Sequence, residues 1–231
     1  LSHTGAIAGS YRNTVAFLER EGVLVAETVE TLAAVTELVM RQDWPLAAPP
    51  KPCIVSISGG FAALAADEMA RCGLVLQDPS PAAAAELSAL PTQSHPVNPY
   101  DIAAQNALIP TIIDIFRRDG FNQLIFGLAL LKDDIRRGVV QMVLDAKAAG
   151  FDQVHVASPE VDPEEKAEFQ RHGITVSEDP RPLFQAMELL ARWRGPRAEP
   201  VQTPRSPASL PEGQGLLDEA ASKAVMAGLG L

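Results

Sequence analysis

The chain of 231 residues is poor in the features that usually declare a function outright. Aromatic residues make up only 5%, and no aromatic pair flanks a glycine-rich turn, which speaks against a stacked flavin. There are two cysteines, Cys53 on an expected strand and Cys72 at an expected helix end. They read as free buried thiols, not as a disulfide or part of a metal site. No Cys/His pair has zinc spacing and no Gly-x-Ser-x-Gly elbow occurs, so neither a zinc centre nor serine-hydrolase chemistry is expected. The formal net charge is −10 and no Lys/Arg cluster offsets it, which argues against a nucleic-acid partner. No apolar run reaches about 18 residues and no basic-then-apolar leader opens the chain, so no membrane span or secretory leader is expected. With 47% hydrophobic and 21% charged residues, the composition is that of a globular protein, expected in the cytoplasm.

What is present is an alternation. A helix is expected over residues 11–21, then Gly22-Val23-Leu24, then a second helix over 27–42. The stretch 44–52 carries four prolines in nine residues, which excludes helix or central strand and reads as a linker. From Cys53 onward short apolar runs alternate with helical patterns. Strands are expected at 53–58, 73–76, 121–130, 152–157 and 174–177. Helices are expected at about 60–71, 80–90, 105–119, 133–149, 163–172 and 182–194. Strands separated by helical crossovers imply a parallel sheet covered on both faces, an α/β flavodoxin-like doubly wound domain over 53–194. In such sheets ligands bind at the carboxyl ends of the strands, which points to the loops at Ser58, Asn98 and Leu131. Residues 195–215 are Pro-, Ser- and Gly-rich without periodicity and read as a flexible linker.

Three segments carry candidate chemistry. Ser2-His3-Thr4-Gly5-Ala6-Ile7-Ala8-Gly9-Ser10 sets one histidine among small residues that cannot cover it. A neutral imidazole near pH 7 is a competent nucleophile toward phosphorus, although the segment also reads as a flexible tail that contains a histidine. Ser58-Gly59-Gly60 joins an expected strand to an expected helix. Its backbone N–H groups suit a phosphate at the positive end of the helix dipole, or the glycines merely make a tight turn. Asn98-Pro99-Tyr100-Asp101 is a turn by composition, with Asn98 and Asp101 as candidate phosphate contacts. His95 reads as a solvated loop residue, His155 as a strand residue and His172 as a helix C-terminal cation. Asp133-Asp134 and Glu164-Glu165 open helices, where acidic residues favour the dipole, and are not expected to be catalytic acids.

The first of these segments, with the helix and Gly22-Val23-Leu24 after it and a second helix from Glu27, resembles the phosphohistidine segment of the ADP-forming acyl-CoA synthetases, relatives of succinyl-CoA synthetase. The resemblance implies that His3 is phosphorylated during turnover. It implies that Ser58, Gly59 and Gly60 match the family's Asn/Ser-Gly-Gly turn, one of two helix N-termini facing that phosphate. It also implies that Asn98 and Asp101 match the family's Asn-Pro-x-Asp turn bordering the same pocket. Residues 216–231, with Glu219 and Ser222-Lys223, resemble the opening helix of the family's ATP-grasp domain.

Read this way, residues 1–44 are the C-terminal part of a first flavodoxin-like ligase domain, and 45–52 a linker. Residues 53–194 are then a second ligase domain, 195–215 a linker, and 216–231 the start of ATP-grasp. The chain begins inside a motif and stops inside a helix, as a piece of a longer polypeptide would. The implied reaction converts a carboxylic acid, CoA and ATP into acyl-CoA, ADP and phosphate, with Mg2+ accompanying the nucleotide, in a homo-oligomeric enzyme. The family's CoA-binding Rossmann domain, the acidic partner of its histidine and most of ATP-grasp are not matched here. The segment alone is therefore expected to be inactive. A non-catalytic module fused to a protein acetyltransferase is the alternative, disfavoured because such relatives tend to lose the histidine. A stand-alone nucleotide- or flavin-binding domain is a third.

Overall fold

A computed structural model describes residues 10–42, 46, 48–103, 105–128, 133–193 and 218–228. The chain divides into two compact units, Leu24–Arg194 and a second made of Leu1–Val23 with Gly195–Leu231. In the latter, helix α1 spans Tyr11–Arg20 and buries no residue, leaving Tyr11 and Phe17 exposed. Helix α9, Glu219–Gly228, carries Glu219 at its acidic start. Residues 22–24, between α1 and the next helix, join no strand ladder.

The larger unit holds helix α2 (Val29–Arg41), strand β1 (Pro52–Ser56), α3 (Gly59–Arg71), α4 (Pro81–Ser88) and strand β2 (Tyr100–Asp101). It continues with α5 (Ile109–Arg118), β3 (Gln123–Gly127), α6 (Asp133–Ala148), β4 (Gln153–Ala157), α7 (Pro163–Arg171), β5 (Thr175–Ser177) and α8 (Pro180–Arg192). The five strands lie in the order β2-β1-β3-β4-β5, and every pair is parallel. Local chemistry sets the ends. Ser80 caps α4 ahead of Pro81, Asp162 caps α7 ahead of Pro163, and Asp179 caps α8 ahead of Pro180. In each case a side-chain oxygen takes one of the helix's orphan N–H groups and proline fills a position that needs no donor. Gly120 and Gly173, both at positive φ, end α5 and α7 and turn the chain straight into Phe121 and Ile174.

Register sorts the sheet into two faces. Val55, Phe126, Val156 and Val176 lie in one row, packed with α4, α5, α6 and α7. The adjacent row, Ile54–Ile125–His155–Thr175, turns to the other face, where α2, α3 and α8 cover it. All five β3 positions are buried, as are those of β1 and β4, which is the signature of strands covered on both sides.

Two expectations need correction. Residues 73–76 are not a strand. Leu74 and Leu76 pack on the second core while Val75 is 76% exposed, so the segment is apolar on one side only. An inner parallel strand must bury both faces, and the edge position goes instead to Tyr100–Asp101, flanked by fully buried Ile102. The compact unit also begins at Leu24 and not at residue 53, because α2 contributes Val35 and Leu38 to the core shared with α8.

Both edges of this sheet are short at the amino ends of the strands, and a side-chain amide completes each. Asn98 Nδ2 donates to Pro52 O (3.0 Å), and its Oδ1 accepts from Ile54 N (2.9 Å). Gln42 Nε2 donates to Val154 O (3.2 Å), and its Oε1 accepts from Val154 N (3.1 Å). Each amide presents one donor and one acceptor to a strand, as a neighbouring strand's backbone would.

Candidate functional site

The carboxyl end of β1 is built around Ser56, which is fully buried. Its hydroxyl accepts from Ser58 N (3.0 Å) and is within donating reach of Ser58 O (2.9 Å) and Gly127 O (3.3 Å). These contacts fold the turn back over the strand end. Ser58 is the N-cap of α3, its Oγ accepting from Phe61 N (3.3 Å) and its carbonyl from Ala62 N (3.0 Å). The N–H groups of Gly59 and Gly60 are left without an acceptor among the described residues, at the positive end of a 13-residue helix.

Of the three amides expected to face a phosphate, two are therefore free, and the Ser58 N–H is spent on Ser56. Ser58 shapes the turn, and its hydroxyl proton is the one donor it retains.

Asp101 stands beside Ser56 in register, so β2 brings a carboxylate to the same strand end. Its Oδ1 accepts from Ala103 N (2.9 Å), and its backbone carbonyl accepts from Ser94 Oγ. Its Oδ2 lies 2.5 Å from where a Cβ on Gly59 would be. Only glycine permits that approach. Beside it opens a depression of about 290 Å³, lined by Gly59, Ala62, Ala63, His95, Val97, Pro99 and Asp101. His95, read from the sequence as a bystander, is exposed and is part of this wall.

Asn98 is corrected from candidate ligand to scaffold. Besides pairing with β1, its Nδ2 donates to Gln77 O (3.0 Å), and its own N–H donates to Asp78 Oδ1 (3.3 Å). No donor proton of its side chain remains for a phosphate. Replacing Asn98 with Ala or Asp is expected to lower unfolding stability by on the order of 3 kcal/mol, because buried Ile54 N–H or Pro52 C=O loses its partner. Urea titration of the variants checks this, and a loss below about 0.5 kcal/mol would remove the scaffold role.

Gly127 at the end of β3 had not been singled out. A Cβ there would meet Phe61 Cδ1 at 2.3 Å and Ser56 Oγ at 2.5 Å, so the glycine lets Phe61 and Ser56 close over the strand end. The only signal in the sequence is a glycine ending the apolar run Leu124-Ile125-Phe126. Both cysteines are free, and burial pushes the Cys53 thiol far above the ordinary range, which leaves it inert. His155 is fully buried on β4, and His172 sits at the C-cap of α7. His3 and Leu131 lie outside the described residues.

The fold is thus a five-stranded, doubly wound parallel α/β domain with its open donors at a strand end. No family model matches the chain. Its sequence is similar to that of ADP-forming acyl-CoA synthetases. It is 34% identical over 104 residues to the acetate–CoA ligase [ADP-forming] II subunit alpha of Pyrococcus furiosus, covering 45% of this chain and 22% of that one. It is 38% identical over 117 residues to trans-feruloyl-CoA synthase FCS1 of an unknown prokaryotic organism, covering 48% of this chain and 16% of that one. The matched stretch is thus about a fifth of the first relative's length and about a sixth of the second's.

Among solved structures, the fold matches the dinucleotide-forming acetyl-coenzyme A synthetase 1 of Ca. Korarchaeum cryptofilum. The apo form superposes with TM-score 0.67 at 20% identity, over 79% of this chain and 41% of that one. The form in complex with phosphate and ADP gives 0.66 over 82% of this chain and 42% of that one.

Proposed function

We propose that this chain is a segment of an ADP-forming acid–CoA ligase that works through an acyl phosphate and a phosphohistidine on His3. The observation that carries the reading is the pair of free N–H groups on Gly59 and Gly60 at the carboxyl end of β1. They form an anion cradle in a chain whose relatives are acid–CoA ligases. A carrier histidine needs a station where the phosphoryl group is held by preorganised donors with no new charge to bury, and a helix N-terminus supplies one. The glycine-flanked sequence Ser2-His3-Thr4-Gly5 supplies a nucleophile with little bulk around it.

In this reading the substrates are a small carboxylic acid, CoA and ATP, in a cytoplasmic homo-oligomer. Residues 216–231 open the nucleotide-binding part of the same protein. Among the described residues no group of three or more His, Cys, Asp or Glu side chains is arranged to hold a metal ion. In this reading Mg2+ arrives with the nucleotide. The same residues include no helix long and apolar enough to cross a membrane.

The test is direct labelling. The full-length protein incubated with γ-labelled ATP and Mg2+ is expected to gain a phosphoryl group that acid removes and base leaves, as a phosphoramidate does and a phosphoserine does not. His3→Ala should abolish the label and acyl-CoA formation together. Ligase activity surviving in His3→Ala would overturn the mechanism.

A further inference from the structure

We draw no further inference here: the strongest candidate, the exposed apolar face of helix α2 formed by Val29, Leu32, Val39 and Met40, carries nothing because nothing in the structure shows what covers it.

Discussion

Lowering the pH from 7 to 4 is expected to strip about 3 kcal/mol of stability from the Leu24–Arg194 unit through one side chain, His155. Burial pushes its pKa from 6.5 down to about 3, with Lys147 adding to the effect. Its Nδ1 is 2.6 Å from Thr175 Oγ1 and 3.2 Å from Gln42 Nε2, while Nε2 is buried with no partner. Among the described residues an imidazolium would have no acceptor for its Nε2 proton.

The sign follows from which state takes the proton. Above pH 6.5 the imidazole is neutral in both states and the full stability is present. As the pH falls from 6.5 toward 3, the unfolded chain binds a proton that the folded one refuses, and stability is lost throughout that window. His155→Leu places an apolar side chain in the row beside Ile125 and should flatten the loss, with Gln42 and Thr175 left to pair with each other. Urea unfolding at pH 7, 5.5 and 4 for the wild type and the variant measures it, with His155→Gln as a second neutral replacement. An identical pH dependence in all three proteins would assign the acid loss elsewhere, to carboxylates such as Glu68 and Asp114 that arginine partners hold below their usual range.

The second large effect is steric. Gly127→Ala is expected to cost on the order of 1–3 kcal/mol, because the new methyl would overlap Phe61 Cδ1 and Ser56 Oγ. The damage should reach the site. Displacing the Ser56 hydroxyl unmakes its bonds with Ser58 N and Ser58 O, which set the start of α3. Adding Phe61→Ala removes one of the two obstacles, so the double variant should be less destabilised than the two single losses combined. Strict additivity would mean that the two groups do not compete for the space. The readouts are unfolding free energy together with the amide shifts of Gly59 and Gly60.

Much of this architecture is written locally. Ser80-Pro81 and Asp162-Pro163 mark helix starts by cap chemistry, whereas α8 begins at Pro180, two residues before its expected start. The strands expected at 53–58, 121–130 and 152–157 correspond to β1, β3 and β4, each buried on both sides. Alternation of such strands with helices dictates a parallel sheet, and the segment Ser58-Gly59-Gly60 announces a strand-to-helix turn. The candidate site was legible to the same extent, as a turn whose glycines could admit a phosphate.

What the sequence could not decide depends on partners far away along the chain. Residues 73–76 read as a strand by propensity, yet Val75 stays exposed and the pairing with β1 falls to Tyr100–Asp101, a matter of packing and not of propensity. Asn98 looks like a ligand in a turn motif, yet the backbone of β1, 44 residues earlier in the chain, consumes its amide. Ser58 loses its N–H to Ser56 for the same kind of reason. Asp101 acquires its meaning only where β2 sets it against Gly59, since neither residue signals the other in one dimension. Periodicity and caps are properties of neighbouring residues, so the sequence by itself determined the helices, the buried strands and the parallel α/β class. Which polar groups stay free to meet a ligand depends on which acceptors the folded chain has already brought to them, and that only the tertiary structure decided.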